Sequence, residues 1–257
     1  MATWTAYPYP AAHHFDAAGI KKNWARLHRG DAEPLPSDPQ LLAAWALFHS
    51  GEFWRAAQAG EQLGPAGFAL ASKATCVQAA MLEKKEKTRL DLFMEVARRA
   101  EAQAARDTGD ANAWYWQAYA LGRYSQGISV AKALALGMGA KVKSALERTI
   151  ELRPAHADAH IALGTFHAEV IHKVGALIGG MTYGARKDAG LSMFQAGLAL
   201  HPESPIAMIE YANGMVMLEG DRRMQEATAL YERAAACEPV DAATRLDVEM
   251  AKAALVD

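Results

Sequence analysis

The chain is short of most residues that would assign it to a chemistry. Two cysteines, Cys76 and Cys237, stand far apart in 257 residues. That excludes a disulfide framework and a thiolate-rich zinc cage, and points to a reduced, cytoplasmic setting. β-Branched residues are sparse, and no run of alternating Val, Ile and Thr suggests a sheet. No charge of one sign dominates. Charged residues make up 22% of the chain and the formal net charge is −2, which excludes a disordered polyelectrolyte. A pI near 6.5 argues against nucleic acid as a partner, because phosphates need a basic face. Long apolar runs are missing too. The most apolar internal stretch, Val174 to Met181, is about half of what crosses a bilayer, so no membrane insertion is expected. Met1 to Asp16 lacks the basic and apolar regions of a leader, and no Cys for lipidation lies near it.

What the chain does have is alanine and apolar surface. Ala is the commonest residue and 51% of residues are hydrophobic, enough for a sizeable core or an array of packing units. Ala loses no side-chain entropy in a helix, and the Leu, Glu, Arg and Lys that accompany it lose little. The expectation is an all-α protein.

Internal repetition refines this. Ala227, Tyr231, Ala234 and Pro239 follow the pattern Ala-x3-aromatic-x2-Ala-x4-Pro. Gly190, Phe194, Gly197 and Pro202 repeat it, and Val142, Leu146, Thr149 and Pro154 form a looser copy. Small residues three or four apart make a smooth helix face that a second helix approaches closely, and the aromatic fills the groove between them. The proline marks the turn. A second phrase puts a large residue, a small one four places on and another large one three places later: Trp114, Ala118 and Leu121; His160, Gly164 and His167; Met208, Ala212 and Met215. Gly51-Glu-Phe53-Trp-Arg-Ala56 is an N-terminal echo. These alternating phrases resemble the tetratricopeptide repeat (TPR), which implies an α-solenoid of antiparallel helix pairs.

The repeats are long. Pro154 to Pro202 is 48 residues and Pro202 to Pro239 is 37, against about 34 for the simple repeat. The extra length falls in Gly127 to Lys141 and in His172 to Asp188, where extra hairpins are expected. Long repeats with Trp-Tyr near the start and a Gly-bearing apolar insert resemble two families, the regulator of microtubule dynamics family and the T component associated with TRAP transporters. That likeness runs from about Ala111 to Ala254; the absent lipoprotein signal departs from the second family.

With no Ser/Gly linker, 1–257 reads as one domain. Residues 1–38 are an irregular segment with a short helix from Ala17 to His28, and 39–108 form divergent hairpins. Helices are expected from Gln40 to Ser50, Glu52 to Gln62, Ala66 to Met81 and Lys85 to Asp107. Residues 109–240 hold the best repeats, and 241–257 a capping helix that covers the apolar end of the solenoid.

Few residues suggest catalysis. His156, His160 and His167 fall within about 40° on one helical face and so suggest a metal, but two of them occupy places where the repeat packs large side chains. His167-Ala-Glu169 lacks the Pro-Cys-x-x-Cys partner of zinc deaminases, and Glu169-x-x-His172 has no second copy to complete a di-iron motif. In Gly179-Gly-Met-Thr-Tyr-Gly184, Ala185 and Arg186 stand where a phosphate loop needs Lys and Ser or Thr. Gly175, Gly179, Gly180 and Gly184 read better as a tight helix approach or an apolar turn. No catalytic residue, cofactor or metal is expected. A metal-dependent enzyme on His160, His167 and Glu169 is the least favoured reading.

In the repeat that the chain resembles, the first helix of each pair lines the concave face. The resemblance therefore implies a groove of Asn112, Tyr115, Tyr119 and Arg123; Ile161, Thr165 and Glu169; and Ile209 and Asn213. The several Lys and Asn that clamp a peptide carboxylate are missing, so the groove is aromatic and aliphatic. The expected function is a non-catalytic protein-interaction scaffold that binds a partner segment or self-associates as a homo-oligomer. The alternative is a carrier or sensor of a small apolar ligand, as the T-component resemblance implies.

Overall fold

A computed structural model describes residues 4–10 and 13–256. Among these there are fourteen α-helices and no strand. They divide into two compact units, taken in turn.

The first unit holds residues 4–28, 33–129 and 241–243 of the described chain. Its helices are α1 (Ala17–Leu27), α2 (Pro39–His49), α3 (Phe53–Gln62), α4 (Phe68–Val77), α5 (Glu86–Arg106) and α6 (Ala111–Gln126). Their starts are written in the sequence. Asp16, Asp38 and Asp110 accept hydrogen bonds from the backbone N–H groups of Gly19, Gln40 and Ala113, which the first helical turn leaves without partners. Pro39 adds a preset φ to the start of α2. Gly51, at φ +89°, turns the chain from α2 into α3, as the N-terminal echo implies. The expected helix from Ala66 to Met81 is interrupted. Residues Gly64–Gly67 form a 3-10 turn because α3 crosses there backbone to backbone: a Cβ on Gly67 would lie 2.1 Å from the Gly60 carbonyl oxygen. At the other end Gln78–Leu82 widen into a π turn, with the Glu83 N–H donating to the Gln78 carbonyl at 2.9 Å.

The second unit holds residues 29–32, 130–240 and 244–256. It contains α7 (Val130–Ala135), α8 (Met138–Leu152), α9 (Ala157–Val174), α10 (Ala176–Tyr183), α11 (Lys187–Leu200), α12 (Pro205–Glu219), α13 (Met224–Ala235) and α14 (Ala242–Ala254), the last from Thr244 onward. α7 and α10 are the extra elements within the two long inserts. The pairs α9–α11 and α12–α13 are the repeats, and α9 also packs on α12.

Glycines and one phenylalanine hold these pairs together. A Cβ on Gly197 would lie 2.7 Å from Ile161 Cδ1, and one on Gly190 would lie 3.0 Å from the His167 Cβ. The fully buried Phe194 ring fills the space above Gly164 and Gly214 and stacks on Tyr211 with centroids 5.3 Å apart. Ala227 and Ala234 present the matching smooth face of α13. Of the second phrase, Ala118, Leu121, His160, His167, Met208, Ala212 and Met215 are buried. Trp114 instead lies half-exposed, its indole N–H donating to the Thr108 carbonyl.

Candidate functional site

In the first unit, α6 divides the expected groove residues by depth. Asn112 is buried and its amide donates to the Glu33 carboxylate. Tyr115 is buried as well, its ring 4.9 Å from Trp116. One turn on, Tyr119 is half-exposed, with the Arg123 guanidinium 5.2 Å from its ring centroid. The guanidinium lies over the ring, a cation–π arrangement that holds the two side chains together.

In the second unit, Ile161 and Ile209 lie in the core with Phe194 and Met208. The polar members of the same helices stay at the surface. Thr165 Oγ1 donates to Glu210 Oε2 at 3.1 Å and so ties α9 to α12. Glu169 accepts from Lys173 at 2.5 Å. Asn213 is exposed, and its Oδ1 accepts from the Tyr231 hydroxyl at 2.8 Å. Burial in this setting pushes the Tyr231 phenol above its ordinary value. Of the expected groove residues, Tyr119 and Arg123 on the first unit, and Thr165, Glu169 and Asn213 on the second, therefore lie outside the core. Glu210, which pattern reading did not single out, joins the second set. Its place three residues before Asn213 is the signal that could have found it.

The three histidines of α9 bond the backbone, two at the start of α9 and one at the start of α11. His156 is the N-cap of α9, its Nδ1 accepting from the Ala159 N–H at 3.1 Å. His160 Nδ1 bonds the His156 carbonyl at 3.0 Å. His167 Nδ1 accepts from the Arg186 N–H at 3.2 Å, which requires a ring with its proton on Nε2. Burial, and then the Lys143 cation, hold its pKa below the ordinary 6.5. Among the described residues no three His, Cys, Asp or Glu side chains are placed to hold a metal ion. Cys76 and Cys237 are both free thiols. Burial pushes both pKa values up, Cys76 far above the thiol range, which disfavours the thiolate form. The glycine-rich stretch forms α10: Gly179 lies against Val170 of α9, and Gly184 closes the helix in the left-handed region.

A buried polar cluster in the first unit has no local sequence signal. His49 Nδ1–H donates to Asp241 Oδ2 at 2.6 Å, and His49 Nε2 lies 3.2 Å from His28 Nε2. With the His49 proton on Nδ1, its Nε2 accepts and His28 donates. Trp24 stacks on His28 at 4.0 Å, and Trp45 stacks on His49 at 5.8 Å. All three polar side chains are buried. The cluster therefore orders α1, α2 and the chain at Asp241.

No protein-family model matches the chain, and no curated protein matches it. Solved structures do. A thermophilic TPR protein from Thermus thermophilus superposes with a TM-score of 0.58 at 16% identity, over 83% of this chain and 97% of that one. The fold is TPR-like. YrrB, a TPR protein with an unusual peptide-binding site, also aligns at 16% identity over 92% of this chain and 99% of that one, with a TM-score of 0.37; a score that low carries no weight here. Two helix pairs, α9–α11 and α12–α13, are those the two repeated phrases imply, whereas α6, which carries the Trp114 phrase, pairs with α5. The likenesses to the microtubule-dynamics regulator and to the T component gain no support from these comparisons.

Proposed function

We propose that the chain is a non-catalytic protein-interaction module, with partner segments contacting the first-helix faces of its repeats. The observation that carries this reading is the hydrogen bond from Thr165 to Glu210. It sets neighbouring first helices side by side, with Glu169 and Asn213 on the same two helices and none of these four in the core. The first unit contributes Tyr119 and Arg123, while the buried Tyr115, Ile161 and Ile209 hold the helices that carry these faces. The row of polar groups on the second unit suits an extended or helical peptide, and Tyr119 gives the first unit an aromatic anchor of its own.

The carrier alternative would place its apolar pocket by the long inserts; between α9, α11 and α12 the Phe194 ring itself fills the space.

Tyr119→Ala and Glu210→Ala test the proposal. Each variant should keep the helical circular dichroism of the parent and lose a protein that co-purifies with it. Retained binding by both folded variants would overturn the assignment of these faces.

A further inference from the structure

The inserts of the second unit expose apolar side chains that the repeat packing does not use. On α10, Leu177, Ile178 and Met181 are 76%, 58% and 82% exposed. Their spacing of one and four residues puts them on one side of the helix. The opposite side is seated, because Gly179 lies against Val170 of α9. Leu134 and Leu136, in and just after α7, are close to half-exposed. The two inserts meet at the start of α8: the Tyr183 ring, at the end of α10, lies over Gly139, three residues after Leu136.

The charge around these side chains is mostly basic. Residues 130–146 contain Lys132, Lys141 and Lys143 and no Asp or Glu. Residues 170–187 contain Lys173, Arg186 and Lys187 and again no acid. Lys143 reaches Gly184 at the end of α10, its Cε 4.0 Å from where a Cβ would stand. Surface pairs with Glu147, Glu169 and Asp188, and one from Lys187 to Glu219, temper this rim. They do not reverse it, since eight Lys and Arg face five Asp and Glu from Val130 to Asp188, in a chain whose net charge is −2.

We propose that α10, assisted by α7, docks the chain peripherally on an anionic phospholipid membrane. Leu177, Ile178 and Met181 enter the boundary between headgroups and acyl chains, and the surrounding lysines and arginines meet lipid phosphates. No described helix is long and apolar enough to cross the membrane, and docking of this kind needs none. A second copy of the chain fits the patch poorly. A two-fold contact through α10 would bring one cationic rim against another.

Vesicle co-sedimentation tests this with the full chain. The parent protein should sediment with vesicles of phosphatidylglycerol and phosphatidylcholine, bind pure phosphatidylcholine weakly, and release as salt rises. The exposed double variant Leu177→Ser/Met181→Ser should keep its circular dichroism and lose roughly tenfold or more in vesicle affinity. Failure of the parent to bind anionic vesicles would overturn the proposal, and so would equal binding by the folded double variant. A parent dimer in light scattering that the double variant converts to monomer would also overturn it, because the patch would then be a contact between copies.

Discussion

The imidazole of His49 and the carboxylate of Asp241 meet at 2.6 Å across 192 residues of sequence, and both side chains are buried. A hydrogen bond to a charged group away from water contributes about 1.5–3 kcal/mol, and an orphaned buried partner costs more than the bond itself contributes. Asp241→Ala leaves the Nδ1–H of His49 without an acceptor in this cluster. It should lower the free energy of unfolding by about 2–3 kcal/mol. Asp241→Asn keeps an oxygen acceptor and should cost less. Urea denaturation of the three proteins reads both values.

Phe194 gives a second expectation. A Cβ at Gly214 would stand 2.3 Å from Phe194 Cζ, so Gly214→Ala should cost about 1–3 kcal/mol through overpacking. Phe194→Ala should cost about 3–5 kcal/mol. Gly122, within α6, has no atom within 4 Å of an added Cβ. There the same change to alanine should stabilise the protein by about 0.5–1 kcal/mol, through helix propensity and a less disordered unfolded chain. Thermal melts of the three variants against the parent give the signs directly.

His167 sets a pH dependence. Burial, and then Lys143, lower its folded pKa below 6.5, so the unfolded chain binds the proton more readily. Its contribution to stability is therefore complete above about pH 6.5 and is lost as pH falls from there through the folded value. His167→Asn keeps an oxygen near the Arg186 N–H but does not titrate. It should flatten the fall in stability between about pH 7 and pH 5. An unchanged slope would show that other groups set it.

The fold was legible wherever a local rule decides the backbone. The small-aromatic-small phrase located α11 and α13, and the Gly51 turn and the prolines located helix ends. Depth within the groove was not legible. A first helix that packs on two neighbours buries two of its sides, so Tyr115, Ile161 and Ile209 face inward although their spacing matches that of Tyr119, Thr165 and Asn213. The cluster of His28, His49 and Asp241 was illegible for another reason. Its members are brought together by tertiary packing alone, with no periodicity to announce them.

Site-specific photo-crosslinking in the protein's own host tests the central claim most directly. A crosslinking amino acid is placed at Tyr119 and at Glu210, with exposed Glu101 on α5 and Glu232 on α13 as controls on other helices. The account predicts that Tyr119 and Glu210 each capture a discrete protein, and that neither control does. Equal capture at the controls, or none at the two first-helix positions, would contradict it.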